Sequence, residues 1–430
     1  MSNCVIRVIS PSFLWRPSGS TAYDFPSMLQ FISWAVLAEW ANFLVRWIHL
    51  IAGISWIGNS FYFMWMDSSF EAPDKARDGL EGELYMVHGG HFYHVEKQKF
   101  RPGFIPKTLH WFKWEATFTW ISGFVLMILL YYATNGIYLI GPESPIKTPG
   151  AATAVSLGLL VGIWFIYDFF WQTSFAEKNK SIATAISLAA VCALCWLLCF
   201  LFTGRGAYLH LGAIFATLMV VNVWVRILPR QQKMFDDASA GKVPDYSAGP
   251  KAKARSTHNS YMTLPVLFAM ISNHFPLAYG SAGNWVVLIL LCLLGGLVRH
   301  MMLQWNIGKT GTGLLVPISL VVVLMIAVPS FYSQASLLSA GPKPSFTQVQ
   351  TIVKERCLAC HSAQPTDATF PVPPNGVSFE SPEVLKQYAD RIRDRVYVSK
   401  TMPLVNRTNM TDEERAVMNS WVLSGADIHE

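Results

Sequence analysis

Charged residues are scarce in this chain, and their scarcity excludes a soluble globular protein. Asp, Glu, Lys and Arg make up 14% of its 430 residues, whereas 52% are hydrophobic. Several apolar stretches approach the roughly 20 residues that a helix needs to cross a bilayer. We predict eight spans, at about 36–66, 111–132, 151–172, 181–202, 207–228, 259–279, 285–304 and 314–333.

Basic residues are almost absent from one set of the loops between these spans. If the spans alternate, the loops on one side carry eighteen Lys and Arg residues, and those on the other carry only Lys147 and Arg205. Because basic loops remain in the cytoplasm, we predict a multi-pass protein of the bacterial inner membrane with both termini in the periplasm. The net charge of +6 therefore reflects topology and does not indicate a nucleic-acid partner.

Two further signals are missing from the sequence. The N-terminus has no short apolar core followed by a small-residue cleavage site, so no cleavable signal peptide is predicted. The spans also lack six suitably spaced histidines, which disfavours the catalytic subunit of a haem–copper oxidase.

The most specific motif that is present, Cys357-Leu358-Ala359-Cys360-His361, lies near the C-terminus. C-x-x-C-H is the attachment sequence of a c-type haem, whose iron binds the histidine. Met402 is the predicted sixth ligand, because it precedes a proline on a predicted loop and methionine sulfur is the usual choice in this class. Met410 and Met418 are the competing candidates, although Met418 falls within a predicted helix and suits the core. We therefore predict one covalently bound haem c, held by Cys357, Cys360, His361 and Met402, with His361 and Met402 as metal ligands.

The sequence predicts a mainly α fold, in which an eight-helix transmembrane bundle precedes an all-α class I cytochrome c domain. The cytochrome domain begins with an amphipathic helix, Phe346–Arg356, and its last helix opens with the capping box Thr411-x-x-Glu414. The predicted segments are an N-terminal extension at 1–35, the transmembrane domain at 36–333, a linker at 334–345 and the periplasmic cytochrome domain at 346–430.

Three histidines, His49, His210 and His274, are predicted to lie at similar depth near the periplasmic ends of three spans. Ionisable groups inside a membrane are costly, so each is a functional hypothesis. The three either ligate a b-type haem, line a route to the haem c, or are ordinary buried imidazoles with hydrogen-bond partners.

A second polar group, His88-Gly89-Gly90-His91-Phe92-Tyr93-His94-x-x-Lys97, follows the first span. Three interpretations remain open. It is a zinc site formed by histidines at every third position, a site for a small polar anion, or an ordered structural loop. Our candidate catalytic residues are His49, His88, Tyr93 and Lys97.

The first span and the segments after it carry a resemblance to a known family. Its motifs are Arg46-Trp47-x-His49-x-x-Ala52-Gly53-Ile54-x-Trp56-Ile57-Gly58-x-Ser60-Phe61, His88-Gly89-Gly90-x-Phe92-Tyr93 and His110-Trp111-Phe112-Lys113-Trp114-Glu115. With C-x-x-C-H, they resemble the membrane-bound urate hydroxylase (cytochrome c-linked urate oxidase) family over residues 36–430. That family joins an eight-span membrane domain to a C-terminal cytochrome c.

The resemblance implies an oxidoreductase that converts urate to 5-hydroxyisourate. Its electrons would pass to the haem c and on to a downstream cytochrome or terminal oxidase of the respiratory chain. Because urate is anionic, Lys97, Arg46 or Arg299 suits its binding site. The first span also resembles small haem-binding membrane oxidases, which makes His49 the preferred ligand of a haem b. The alternative function is a non-catalytic, membrane-anchored cytochrome c subunit that transfers electrons within a respiratory complex.

Overall fold

The computed structural model describes residues 34–281, 283–337, 342–370 and 372–429. The chain divides into two compact units between Phe43 and Leu44. The described residues of the first unit form the beginning of one long helix, and the predicted extension at 1–35 lies almost entirely outside the described residues. The second unit contains the remaining elements, including the C-x-x-C-H segment.

Helices make up most of the chain up to residue 337. They are α1 (Trp34–Ser69), α2 (Trp114–Met127), α3 (Pro149–Phe170), α4 (Ser174–Lys178), α5 (Lys180–Leu201), α6 (Gly204–Val221), α7 (Leu228–Ser239), α8 (Ala248–Ile271), α9 (Pro276–Tyr279), α10 (Asn284–Asn306) and α11 (Leu315–Leu337). Two of them continue into π-helical turns, Ile128–Tyr132 after α2 and Asn222–Ile227 after α6.

Seven helical stretches among the described residues are long and apolar enough to cross a membrane, and they coincide with seven of the predicted spans. The remaining predicted span, 259–279, falls on α8, which starts at Ala248 and ends at Ile271. Residues 259–271 of this predicted span are helical in α8, and the rest of it includes the 3-10 turn Ser272–His274 and α9. The count of eight spans stays a prediction.

Helix α8 can carry polar residues because it packs between other helices. It packs against α6 on one side and α10 on the other. It buries Asn259, whose side-chain amide donates to the Met219 carbonyl at 2.9 Å. A Cβ added to Gly295 of α10 would lie 2.6 Å from Pro265 Cδ, so the glycine permits the close approach of α10 and α8. Polar groups on α8 are therefore satisfied by protein neighbours rather than by water.

The histidine-rich segment folds as a β-hairpin, which the sequence analysis did not predict. Strands β1 (Leu80–His88) and β2 (His91–Gln98) pair antiparallel, and His88 opposite His91 closes the ladder. Gly89 and Gly90 form the two-residue turn with φ of +58° and +81°. That left-handed backbone is what a type I′ hairpin turn requires. The two glycines that argued against a helix are thus a hairpin signal.

The C-terminal segment is helical and has a hydrophobic core of its own. Its helices are α12 (Phe346–Arg356), α13 (Pro382–Gln387), α14 (Ala389–Arg393) and α15 (Asp412–Leu423), with a π-helical turn at Asp394–Val398. The predicted bounds of α12 and the capping box before α15 are confirmed, since Thr411 and Glu414 bond each other's backbone N–H groups. Val349, Met418 and Trp421 form its core. The predicted linker at 334–345 lies partly outside the described residues.

Candidate functional site

The C-x-x-C-H segment follows directly from the end of α12. The amides of Cys360 and His361 donate to the Cys357 carbonyl, which holds the motif in one tight turn. His361 Nδ1 lies 3.0 Å from the Val377 carbonyl. A ring that donates from Nδ1 to a carbonyl presents Nε2 to a metal. Both thiols are free rather than disulfide-bonded, as covalent attachment of a haem requires.

The loop that carries Met402 is fixed by backbone contacts. The Met402 amide donates to the Arg395 carbonyl at 2.9 Å. The buried guanidinium of Arg415 donates to the Met402 carbonyl at 2.6 Å. Met402 and Cys357 both pack against the core of the C-terminal domain. Two thiols, one oriented imidazole and one thioether in a single small helical domain fit the donor set of a haem c.

The three histidines of the predicted periplasmic group are not brought together. His49 Nδ1 lies 3.0 Å from the Thr119 carbonyl, and its ring packs against Gly123. His210 packs against Tyr131, which is about two turns further along the helix that begins as α2. His49 and His210 therefore contact positions about two turns apart on that helix, and the structure does not bring them to one site.

The surroundings of these histidines differ as well. His210 is fully buried and uses both ring nitrogens, Nε2 towards Ser156 at 2.6 Å and Nδ1 towards the Gly206 carbonyl at 2.7 Å. His274 is exposed in a 3-10 turn after α8. Only His49 among the three combines a held Nδ1 with an Nε2 atom for which no bond is recorded, the arrangement that a ligating histidine needs.

The hairpin presents His88, Tyr93 and Lys97 on one face, with the rings of His88 and Tyr93 6.4 Å apart. Lys97 is already committed, because its ammonium donates to Asp67 at 2.6 Å. Asp67 lies eighteen residues after His49 on the same helix, roughly 27 Å along its axis. The four candidate catalytic residues therefore do not form one site.

The opposite face of the hairpin carries Glu83, His94 and Glu96, whose ligand atoms lie within 4.8 Å of one another. Because strand residues alternate between faces, His94 is separated from His88 and His91, so the three histidines do not form one zinc site. Arg77 bonds both carboxylates. The Arg77 guanidinium lowers the pKa of Glu96. A cation thus already compensates the charge of this group.

The structure contains two polar clusters that the sequence did not predict. In the first, Asp168 of α3 accepts bonds from Arg226 and from the buried Arg255 of α8. Tyr167 beside it bonds His258 and Asn222. Arg226 and Arg255 are therefore both paired with the same carboxylate, which is typical of a structural ion-pair network.

The second cluster, which we call the Arg205 cluster, comprises Tyr131, Tyr138, Arg205, His210 and Tyr279. Arg205 lies in the first turn of α6, its guanidinium carbon 4.1 Å from the Tyr138 ring centroid and its Nε 3.0 Å from Asn273 Oδ1. The sequence contained one signal for this site. Arg205 is one of only two basic residues in the loops predicted to be periplasmic.

Comparison with known proteins adds one finding. The sequence model of a family described as urate oxidase N-terminal matches residues 35–330. No curated protein and no solved structure matches the chain. The matched range contains the long apolar helices, the hairpin and both polar clusters, and it ends before the C-x-x-C-H segment.

Proposed function

The chain belongs to the urate oxidase N-terminal family, and from this membership we propose that it is a membrane-bound oxidoreductase converting urate to 5-hydroxyisourate. Its electron acceptor would be a c-type haem in its own C-terminal domain. One observation carries this proposal. The same chain combines the family match over 35–330 with C-x-x-C-H at 357–361.

The proposed reaction balances with water as the oxygen source. Urate monoanion and one water give neutral 5-hydroxyisourate, one proton and two electrons. A bond forms between the water oxygen and a ring carbon of urate while an O–H bond of the water breaks. When bound, a c-type haem supplies a one-electron acceptor, so two successive transfers complete one turnover. A downstream cytochrome or terminal oxidase would then re-oxidise the protein.

Individual residues would hold this cofactor in defined roles. Cys357 and Cys360 would attach it, and His361 Nε2 and the Met402 sulfur would be the protein ligands of its iron. The Val377 carbonyl orients the imidazole. Arg415 holds the backbone of the methionine loop. His/Met ligation raises a haem potential relative to bis-histidine, which suits an acceptor of substrate electrons.

The proposed topology places the haem domain in the periplasm. The scarcity of Lys and Arg in the outer loops supports it. A contact supports it as well. The backbone of Gly280, in a loop predicted to be periplasmic, lies against Ser399 of the haem domain.

An anaerobic titration tests the proposal. The purified, oxidised protein is mixed with urate without dioxygen, and haem reduction is followed by absorbance while the product is quantified. We expect two haems to be reduced for each urate consumed. Met402→Leu should keep the covalent haem but slow its reduction, whereas Met410→Leu, a buried methionine of the same domain, should not.

Two outcomes would contradict the proposal. Product formation only with dioxygen, accompanied by hydrogen peroxide, would exclude the haem as acceptor. A haem that respiratory donors reduce but urate does not would instead favour the non-catalytic electron-transfer subunit.

A further inference from the structure

Arg205 carries a charge that no carboxylate compensates. Within the part of the chain that the structure describes, it makes no ion pair. The Tyr138 ring and the Asn273 side chain contact it, and the hydroxyls of Tyr131 and Tyr279 lie close to its guanidinium. A half-buried guanidinium without a counter-ion is costly, and an anionic ligand would remove that cost.

Tyr131 supplies a second, independent observation. Its side chain is fully buried, and its hydroxyl faces Arg205 without forming a hydrogen bond of good geometry. The neighbouring groups are satisfied, since Tyr132 bonds Ser156 and Ser156 bonds His210. A buried hydrogen-bond donor that lacks an acceptor costs about 1–3 kcal/mol. Tyr131 also lies in the π-helical turn Ile128–Tyr132, a feature common at functional sites.

The rings around these two groups form an aromatic enclosure. The Tyr131 ring lies 5.9 Å from that of Tyr138 and 6.0 Å from that of His210. Arg205 is the nearest charge to Tyr131 and also lies close to Tyr279. A guanidinium among aromatic faces and a free phenol suits a flat, delocalised anion, because the fork of an arginine pairs with adjacent oxygen atoms in one plane.

The haem domain covers this cluster. Arg395 lies beside the Tyr279 phenol, on the side of that ring that faces the C-terminal segment. A Cβ added to Gly280 would lie 2.6 Å from the Ser399 carbonyl oxygen, so the two backbones are in direct contact. The Arg395 carbonyl accepts the Met402 amide bond. Arg395 therefore connects the cluster to the loop of the proposed iron ligand, since it lies beside Tyr279 and its carbonyl bonds Met402.

We propose that the Arg205 cluster binds the planar organic anion that this protein oxidises, with Arg205 pairing its charge and the Tyr131 hydroxyl donating to one of its oxygens. The inference rests on the proposed function, in which that anion is urate. Bound there, urate would lose its two electrons next to the haem domain, and the proton would leave to the periplasm. Arg395 would act as a positioning residue that closes the site from the haem side.

Binding to the reduced protein tests the site without turnover. Dithionite-reduced protein cannot accept electrons, so urate can be measured at equilibrium by dialysis. We expect Arg205→Gln to weaken urate binding about 10- to 100-fold and Tyr131→Phe to weaken it by a smaller factor. Lys147→Gln is the matched control. It removes the other outer basic residue, which is exposed and bonds only the Pro142 carbonyl, and it should leave binding unchanged.

A second measurement separates this inference from the proposed function. Each variant is assayed for haem content, for reduction by dithionite and for KM and kcat with urate. Arg205→Gln should raise KM while haem content and dithionite reduction stay normal. Wild-type affinity in a properly folded Arg205→Gln protein would overturn the site and leave the function standing. Failure of wild-type protein to reduce its haem with urate would overturn the function itself.

One further variant tests an alternative anion site at Arg299. Arg299 of α10 is also buried without an ion pair in the described chain, but it lies at the other end of its helix, against Phe61 and Ser260. Loss of urate binding in Arg299→Lys together with retained binding in Arg205→Gln would place the anion at that opposite end and refute the inference.

Discussion

The two ends of the helical bundle treat their cations differently. At the end that carries the hairpin, Lys97 and Lys253 share Asp67, and Arg226 and Arg255 share Asp168. The buried Arg299 is the exception at that end, because it pairs with no carboxylate of the described residues. At the end that contacts the C-terminal helical segment, the neighbours of Arg205 among the described residues are aromatic rings and an amide. Paired cations stabilise a fold but have little capacity left for a ligand, whereas an unpaired one attracts an anion.

A cation that lacks a carboxylate partner is a better candidate for binding an anionic substrate than one that is already paired. The hairpin is the more conspicuous feature in the sequence, with three histidines, a tyrosine and a lysine within ten residues. Its charges are nevertheless neutralised by neighbours that lie far away in sequence. The outer end is inconspicuous in the sequence, yet it holds the buried Tyr131 hydroxyl, which has no hydrogen bond of good geometry, beside the Arg205 guanidinium, which has no carboxylate partner among the described residues. The following predictions compare the two ends.

The largest effect is expected at Asp168. Asp168→Asn would leave the buried charge of Arg255 uncompensated, which typically costs about 3–5 kcal/mol. The thermal midpoint of the detergent-solubilised protein should fall clearly. Asp67→Asn is the control, because its pairs with Lys97 and Lys253 are partly exposed and such pairs contribute less than about 1 kcal/mol. Equal shifts in the two variants would show that burial does not separate these pairs.

A smaller effect is expected where the haem domain meets the bundle. Gly280→Ala places a Cβ 2.6 Å from the Ser399 carbonyl oxygen, so the two surfaces must separate. Anaerobic haem reduction by urate should slow roughly 10- to 100-fold, while haem content stays normal. Gly150→Ala is the control, since nothing lies within 4 Å of its added Cβ. Unchanged kinetics in Gly280→Ala would mean that this contact has no part in electron transfer.

The smallest effect is expected on the hairpin. Lys97→Gln should change the KM for urate by less than about twofold, because the ammonium is already paired with Asp67. Lys253→Gln, which removes the other cation on that carboxylate, serves for comparison. A rise in KM as large as that expected for Arg205→Gln would move the anion site to the hairpin and reverse the comparison between the two ends.

The sequence by itself determined the elements whose signals are local. The helix Phe346–Arg356 and the capping box at Thr411 follow from short-range pattern and capping chemistry, and both are confirmed. Seven apolar helices follow from composition alone. The hairpin had a local signal too, because Gly89-Gly90 favours a two-residue turn. The interpretations based on the histidine spacing did not use that signal.

Only the tertiary structure decided which polar groups are satisfied. Tyr131, Arg205 and Tyr279 come from three separate segments, and nothing in their spacing indicates that they meet. The same holds for His49, which finds the Thr119 carbonyl on another helix, and for Lys97, which finds Asp67. Whether a buried charge is compensated depends on partners within a few ångströms in space. Sequence records those partners only as distant positions, and the polar helix α8 acquires its partners on α6 and α10 only when the chain folds.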